Sequence, residues 1–302
     1  MAELVVPIFA TDVETIEAAL EAAARAADAG ADAIEWRVDP LAGCDAGPAA
    51  VEELIRRSPL PCILTCRAAD EGGGFEGTEG ERVGLLDQLA LRGAIPARVD
   101  VEYARWIAST DLQSVTAEIR SAGAQIILSA HDFGGRPEKL DELRSRIDEA
   151  PESDITKIAW LAHGIEDAII CADLLATRTR PTIALCMGAP GLLTRVFTGA
   201  WGGLLTFAAL DEASASAPGQ PTLEEMCEVY RFAQISADTE LLPLFSDEDA
   251  RAENRKLAAA GADAVALALG ELSTADADAA VQALRESSRI RLRDSSTGVQ
   301  DQ

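Results

Sequence analysis

The feature that most constrains this chain is a repeat of two alternating textures. Short apolar runs rich in β-branched residues recur at residues 3–10, 33–39, 62–67, 98–103, 125–132, 154–161, 182–188 and 204–210. The stretches between them, for example 13–28, 80–92, 138–150 and 166–177, carry helical periodicity and good helix formers. Gly30 and Gly123 stand where helix C-caps are expected. Strand and helix alternating eight times predict an α/β fold, a (β/α)8 TIM barrel with a parallel sheet closed on itself. A dinucleotide site has no support, because no GxGxxG follows any of the strands.

A barrel of about 250 residues uses most of the 302 present. After a helix expected at 223–232 the character changes. Residues 233–302 hold an apolar run at 241–245, a polar helix at 247–260, a strand-like run at 262–269, a helix at 276–286 and a polar tail. That is too much for a ninth barrel unit and too little for a usual independent domain. The expectation is a barrel over 1–233 and a small C-terminal α/β appendage over 234–302, with 295–302 disordered. Since eight strand–helix units close before residue 235, the barrel is expected to fold and act without the appendage.

The net charge is −25 and aromatics make up 4% of the chain, so Ala, Leu, Val and Ile must do most of the packing. Nucleic acid and anionic membranes need a basic face, and this composition excludes both as partners. An acidic protein that binds an anion must gather arginine locally. The six cysteines form no CxxC pair or zinc spacing, no basic leader precedes the first strand-like run, and no apolar run is long enough for a membrane helix. The cytoplasm, with reduced thiols and no metal, is the expected setting.

Charge at strand ends is the anomaly that points to function, because barrel active sites cluster there. Glu35 and Arg37, Arg67 with Glu71 behind it, Asp100 and Glu102, His131 and Asp132, and Lys157 all fall at such ends. Any one carboxylate among them, taken singly, reads as a rim ion pair. Lys139, Lys157 and Lys256 are the only lysines in the chain, and Lys157 alone lies inside an apolar strand, Ile155-Thr156-Lys157-Ile158-Ala159-Trp160. Either its ammonium snorkels to the rim or it is a partly desolvated amine. A neutral amine is a nucleophile, a role that arginine cannot fill. His131, in Ser129-Ala130-His131-Asp132-Phe133, is either a hydrogen-bonded structural histidine or a general acid and base. His163 reads as a surface residue without an obvious partner. Arg37, Arg67 and Arg195 supply local positive charge with a planar fork suited to a carboxylate, and each alone reads as a surface pair. Gly188 and Gly191, before Arg195, would bring backbone close to a ligand. Ser216-Ala217-Pro218-Gly219-Gln220 is either a Pro-Gly turn or a loop that closes the site with a hydroxyl and an amide.

Taken together, six segments resemble type I 3-dehydroquinate dehydratase, in the family's order and over roughly residues 1–233. They are Glu35-Trp36-Arg37-Val38-Asp39, Thr65-Cys66-Arg67 with Glu71-Gly72-Gly73, Ser129-Ala130-His131-Asp132-Phe133, Asp154-Ile155-Thr156-Lys157-Ile158-Ala159, Met187-Gly188 with Arg195, and Ser216-Ala217-Pro218-Gly219-Gln220. The resemblance implies a (β/α)8 barrel, dimeric and free of metal or organic cofactor. It implies dehydration of 3-dehydroquinate, a small anionic substrate, in the shikimate pathway or in quinate breakdown. The Schiff-base lysine falls on Lys157, the proton-transfer histidine on His131 and the catalytic-loop glutamate on Glu71. Substrate-binding positions fall on Glu35, Arg37, Arg67, Arg195, Ser216 and Gln220.

Two departures accompany the resemblance. The stretch from Phe207 to Gln220 is about two residues longer than usual, which leaves Ser214 as an alternative to Ser216. Behind the barrel, Ser236-Ala237-Asp238-Thr239-Glu240-Leu241 and Gly261-Ala262-Asp263-Ala264-Val265 look like the opening of a shikimate dehydrogenase domain. There the expected serine pair reads Ser246-Asp247-Glu248-Asp249 and the nucleotide-binding half is absent, as in a degenerate remnant. Two other readings compete. A class I aldolase-like barrel would keep Lys157 but gives no reason for the His131 and Glu71 segments. A binding barrel without activity would have no need of Lys157, His131 and Arg195.

Overall fold

The computed structural model describes residues 1–217, 219–270 and 273–293. The expected tail at 295–302 lies outside the described residues. Strands and helices alternate as β1 Glu3–Phe9, α1 Ile16–Asp28, β2 Ala33–Arg37, α2 Gly47–Arg57, β3 Cys62–Thr65, α3 Glu79–Leu91, β4 Arg98–Glu102, α4 Tyr103–Ala108, α5 Thr110–Ser121, β5 Gln125–Asp132, α6 Leu140–Glu149, β6 Ile155–Leu161, α7 Ile165–Ala176, β7 Thr182–Met187, α8 Gly191–Val196 and β8 Leu205–Phe207. All strand pairs are parallel, in the order β7-β6-β5-β4-β3-β2-β1-β8. A Leu204 N–H to Thr182 O bond of 2.9 Å draws β8 toward β7 and nearly closes the ring. The architecture is the (β/α)8 barrel that the repeat predicts.

Local sequence explains the elements. In α1, Ile16, Ala19, Leu20, Ala23 and Ala26 form a buried stripe at helical spacing. The helix stops before Gly30, whose φ of +98° only glycine adopts without strain. Gly123 does the same after α5, at φ +117°. Thr78 and Glu81 form a reciprocal capping box that starts α3.

The pleat then sorts side chains into two regions. Outward residues such as Ile34, Trp36, Leu128, Ile158 and Trp160 pack under the helices. Inward residues Val5, Ala33, Ile63, Ile127, Ile155, Ile183 and Leu205, with Leu185 and Phe207, plug the lower barrel. Two residues further along the same strands the inward positions turn polar, at Glu35, Thr65, Ser129 and Lys157, all buried. The apolar plug is therefore the floor of the site.

Several strands, β2, β3 and β8 most clearly, end earlier than the sequence pattern suggests, while β5 and β6 end where it places them. β2 stops at Arg37 and β3 at Thr65, because Asp39 and Arg67 are committed to loop contacts. β8 covers Leu205–Phe207 rather than 204–210. The expected helix at 223–232 is a shorter π-helical turn, Glu225–Val229. Arg231 breaks it with φ +52°, and its guanidinium donates to Ala264 O at 2.6 Å.

Past this break comes the expected appendage, with β9 Glu240–Leu244, α9 Asp247–Ala259, β10 Ala264–Ala268, α10 Thr274–Glu286 and β11 Arg291–Leu292. Its three parallel strands run in the order β10-β9-β11. The sheet has two apolar faces. Leu242, Ala264, Ala266 and Ala268 pack with Ala250 and Leu257 of α9 in a separate cluster. Leu241, Val265, Leu267 and Leu269 belong to the core that also holds Ala168, Leu175, Leu193 and Val196 of α7 and α8. Trp201 Nε1 donates to Arg289 O at 3.1 Å, and Arg289 pairs with Asp173 at 2.9 Å. One face of the appendage is thus continuous with the barrel. The six cysteines are all free, and among the described residues no helix is long and apolar enough to cross a membrane.

Candidate active site

Register on neighbouring strands sets the centre of the site. Ser129 pairs with Lys157 and His131 with Ala159 across β5 and β6, so all four residues face the lumen. Lys157 does not snorkel: its side chain is only 7% exposed. Its Nζ donates to Asp100 Oδ2 at 2.7 Å, lies 3.8 Å from Glu35 Oε1 and sits 4.8 Å from the centre of the Phe207 ring. Burial alone would raise the Asp100 carboxyl. The charges of Arg67 and Lys157 more than offset this and hold it well below the usual carboxylate range.

His131 Nδ1 lies 3.0 Å from Glu71 Oε2, which also accepts the His131 backbone N–H at 3.1 Å. Glu71 comes from the turn Ala69–Glu71, after β3. Burial pushes its carboxyl up to about 7; Arg67 opposes that rise, while Glu102 and Asp100 add to it. Burial, reinforced by the charges of Arg67 and Lys157, holds the imidazole well below its usual range, so it is neutral at pH 7. Beside an ionised Glu71, Nδ1 carries the hydrogen and Nε2 keeps a free lone pair. That is the arrangement of a general base.

The three arginines differ in what holds them. Arg37 pairs with Asp39 at 2.6 Å and lies over Phe9. Arg67 donates to Asp100 Oδ1 at 2.6 Å and Ser129 Oγ at 2.8 Å, with Glu102 3.3 Å away. Arg82 holds the other oxygen of Glu102. Arg195, on α8, is buried and has no carboxylate partner among the described residues. Its one hydrogen bond there is a 3.5 Å contact with Phe207 O, and its Nε is unpartnered. Burial lowers it to about 10, so it stays charged near neutrality. A buried cation without a counter-ion costs free energy that an anionic ligand would offset.

Ser216 closes the opposite wall. Its backbone N–H and Oγ donate to Gln220 Oε1 at 2.7 and 2.9 Å, and Gln220 Nε2 has no partner among the described residues. Ser214 is turned away and forms a capping box with Asp211. Pro218, between them and Gln220, lies outside the described residues. Glu35, Arg37, Arg67, Glu71, His131, Lys157, Arg195, Ser216 and Gln220 all line one open pocket, with Phe133, Ala159, Leu185, Met187 and Phe207 as its apolar walls.

The model of the family "Type I 3-dehydroquinase" matches residues 4–237. The chain belongs to that family. It is 36% identical over 220 residues to the chloroplastic bifunctional 3-dehydroquinate dehydratase/shikimate dehydrogenase of Arabidopsis thaliana, covering 72% of this chain and 35% of that one. The chain therefore spans about a third of that relative's length. It is 33% identical to the 3-dehydroquinate dehydratase of Methanosarcina acetivorans, over 70% of this chain and 89% of the relative. Among solved structures, the type I 3-dehydroquinate dehydratase of Clostridium difficile, carrying covalently modified comenic acid, superposes with a TM-score of 0.66 at 25% identity. That match covers 77% of this chain and 92% of the other.

The nine candidate side chains named from the sequence all line this one pocket. Three other residues join the site: Asp100 is legible as a strand-end charge, whereas the contacts of Asp39 and Ser129 are set by depth and register, which sequence spacing does not encode. Asp39 accepts from Arg37 and from the backbone N–H groups of Arg67 and Gly74. Asp100 joins Lys157 to Arg67, and Ser129 donates to Asp100 at 2.6 Å. Of the strand-end charges, Asp132 turns out of the site to accept from Gly134 N. His163 is exposed, as expected, but it has a partner, Gly134 O at 2.9 Å. Gly191 has a packing reason of its own, since a Cβ there would lie 2.1 Å from Cys186 O.

Proposed function

We propose that the chain dehydrates 3-dehydroquinate to 3-dehydroshikimate through a Schiff base on Lys157, with His131 as general acid and base and no metal or organic cofactor. The observation that carries the proposal is the shared pocket of a buried lysine, a neutral histidine oriented by a carboxylate, and a buried Arg195 with no carboxylate partner among the described residues. The family membership and the named relatives support the same substrate.

The chemistry follows from these groups. Lys157 loses its proton and attacks the C3 ketone; water leaves and an iminium forms. The iminium withdraws electrons and acidifies the C2 proton, which His131 Nε2 removes. The resulting enamine expels the C1 hydroxyl as His131 returns the proton to it. Hydrolysis of the conjugated iminium frees the product and regenerates the amine. Glu71 fixes the His131 tautomer. Arg195 holds the substrate carboxylate, and Glu35, Arg37, Ser216 and Gln220 bind its hydroxyl groups. Arg67, its donors engaged by Asp100, Ser129 and Glu102, contributes a fixed positive charge.

Around this centre we read residues 1–233 as the catalytic domain and 234–302 as a degenerate remnant of a shikimate dehydrogenase opening. The β-α-β-α-β order of the appendage and the bifunctional Arabidopsis relative support that reading. A homodimer in the cytoplasm follows from the family resemblance alone.

Borohydride with substrate or product tests the mechanism. The ligand mass should be fixed on Lys157, and Lys157→Ala should lose both trapping and turnover. His131→Ala should lose roughly 10²–10⁴-fold in turnover while still trapping. Labelling at another residue, or an active Lys157→Ala enzyme, would overturn the proposal.

A further inference from the structure

Among the described residues, the appendage approaches the active site at Gly270. Just past β10, Gly270 has φ +94° and lies so close to the loop after β7 that a Cβ on it would stand 3.1 Å from the Ala189 Cβ. Ala189 sits in the 188–190 turn, which leads directly into α8. The carbonyls of Gly188 and Ala189 accept the N–H groups of Gly191 and Leu192 at 2.9 and 3.2 Å. A shift of this turn therefore shifts the start of the helix that carries Arg195. The same turn touches the wall opposite: a Cβ on Gly219 would lie 2.7 Å from Gly188 O, so Gly219 rests on it backbone to backbone. From behind, Leu267 and Leu269 join the core of α8.

We propose that Gly270, just past β10, is a positioning contact for the active site. By seating Gly270 on Ala189, the appendage fixes the 188–190 turn, and through it both Arg195 and the Ser216–Gln220 hydrogen bonds. These are the groups that bind substrate in the reading given above, on which this inference rests. The appendage touches no substrate. Its effect belongs to affinity for the carboxylate ligand rather than to proton transfer at His131 or addition at Lys157.

Gly270→Val tests this in the full-length enzyme, with Gly261→Val as control. Both replace a glycine at positive φ in the appendage, but a Cβ at 261 meets nothing within 4 Å. Strain on the appendage is thus common to both variants, and pressure on Ala189 is unique to Gly270→Val. Gly270→Val should raise KM for 3-dehydroquinate about fivefold, within the range of mutations that modulate coupling between sites. It should leave kcat and borohydride trapping at saturating substrate near wild type, as loss of uniform binding requires. Gly261→Val should leave KM unchanged. An unchanged KM in Gly270→Val, or an equal rise in Gly261→Val, overturns the inference. If Gly270→Val does not fold, Ala189→Gly removes the same contact from the other side without strain on the appendage, and an unchanged KM there is equally decisive. A wild-type enzyme inactive on 3-dehydroquinate would instead defeat the function proposed for the site.

Discussion

At Glu71 burial and charge pull against each other, and burial wins. The carboxyl rises from 4.5 to about 7 while staying within reach of His131. A group that holds its proton more tightly folded than unfolded stabilises the fold only while protonated. That contribution is complete below about 4.5 and is lost as pH rises through about 7. Above that range the ionised carboxylate costs on the order of 3 kcal/mol relative to a neutral isostere. Glu71→Gln should therefore melt higher than wild type at pH 8, with the difference shrinking toward pH 5. The same substitution should remove the acid limb near pH 7 from kcat/KM, because it is the ionised form that keeps Nε2 of His131 free. Differential scanning calorimetry across pH and a pH–rate profile measure the two halves. A variant no more stable than wild type at pH 8 would show that Glu71 is ionised without strain. Lys157 and His131 could be picked out from sequence because a lysine inside an apolar strand and a histidine at a strand end are rare placements. The state of Glu71 could not, because it depends on how deeply a loop carboxylate is buried.

Loops after the strands convert the barrel into a site, and Asp39 shows how. It stands just past β2, and its carboxylate accepts Arg67 N and Gly74 N at 2.9 Å each and Arg37 Nη2 at 2.6 Å. One buried side chain thus ties the loop after β2 to both ends of the turn that carries Glu71. Asp39→Ala would leave the buried Arg67 N–H and the buried Arg37 guanidinium without this partner, and would release the part-buried Gly74 N–H. Unsatisfied buried groups cost about 1–3 kcal/mol each, so a loss of roughly 3 kcal/mol is expected in denaturant unfolding. Turnover should fall as well, because the Glu71 turn loosens. A loss under 1 kcal/mol would mean that the loops hold themselves. Sequence pattern gave the element order correctly but extended β2 through Asp39, since apolar alternation does not reveal where a strand residue is claimed by a neighbouring loop. It also made the segment after β8 a full helix over 223–232. Periodicity there is helical, yet Arg231 takes a left-handed conformation and donates to Ala264 O in the appendage. A tertiary contact overrode a local preference, which no window of sequence can report.

At the scale of the molecule the boundary near residue 234 divides the chain by pattern but not by packing. Sequence marks a change of character there and correctly predicts a small α/β unit, and from the eight closed units it suggests a barrel able to stand alone. The structure joins the two pieces through a shared core. Leu241, Val265, Leu267 and Leu269 on one sheet face, with Ala280 and Leu284 of α10, are buried together with α7 and α8. Trp201 also loses its hydrogen-bond acceptor if Arg289 is removed. Fully burying one such aliphatic side chain is worth about 1.5–3 kcal/mol. For a chain of this size 1 kcal/mol corresponds to roughly 2–4 °C in melting temperature. A chain ending at Gln234 should therefore melt at least about 10 °C below the full-length protein, and its exposed α7–α8 face should promote association. What remains folded should still form the borohydride adduct on Lys157, because Lys157, His131, Glu71 and Asp100 are held by β3 to β6 and their loops. Melting temperature, mass in solution and trapping, measured on both chains, decide the matter. A truncated chain with an unchanged melting temperature would show that the barrel core closes without the appendage. One that folds but forms no adduct would place a contribution to the lysine centre where the structure shows none.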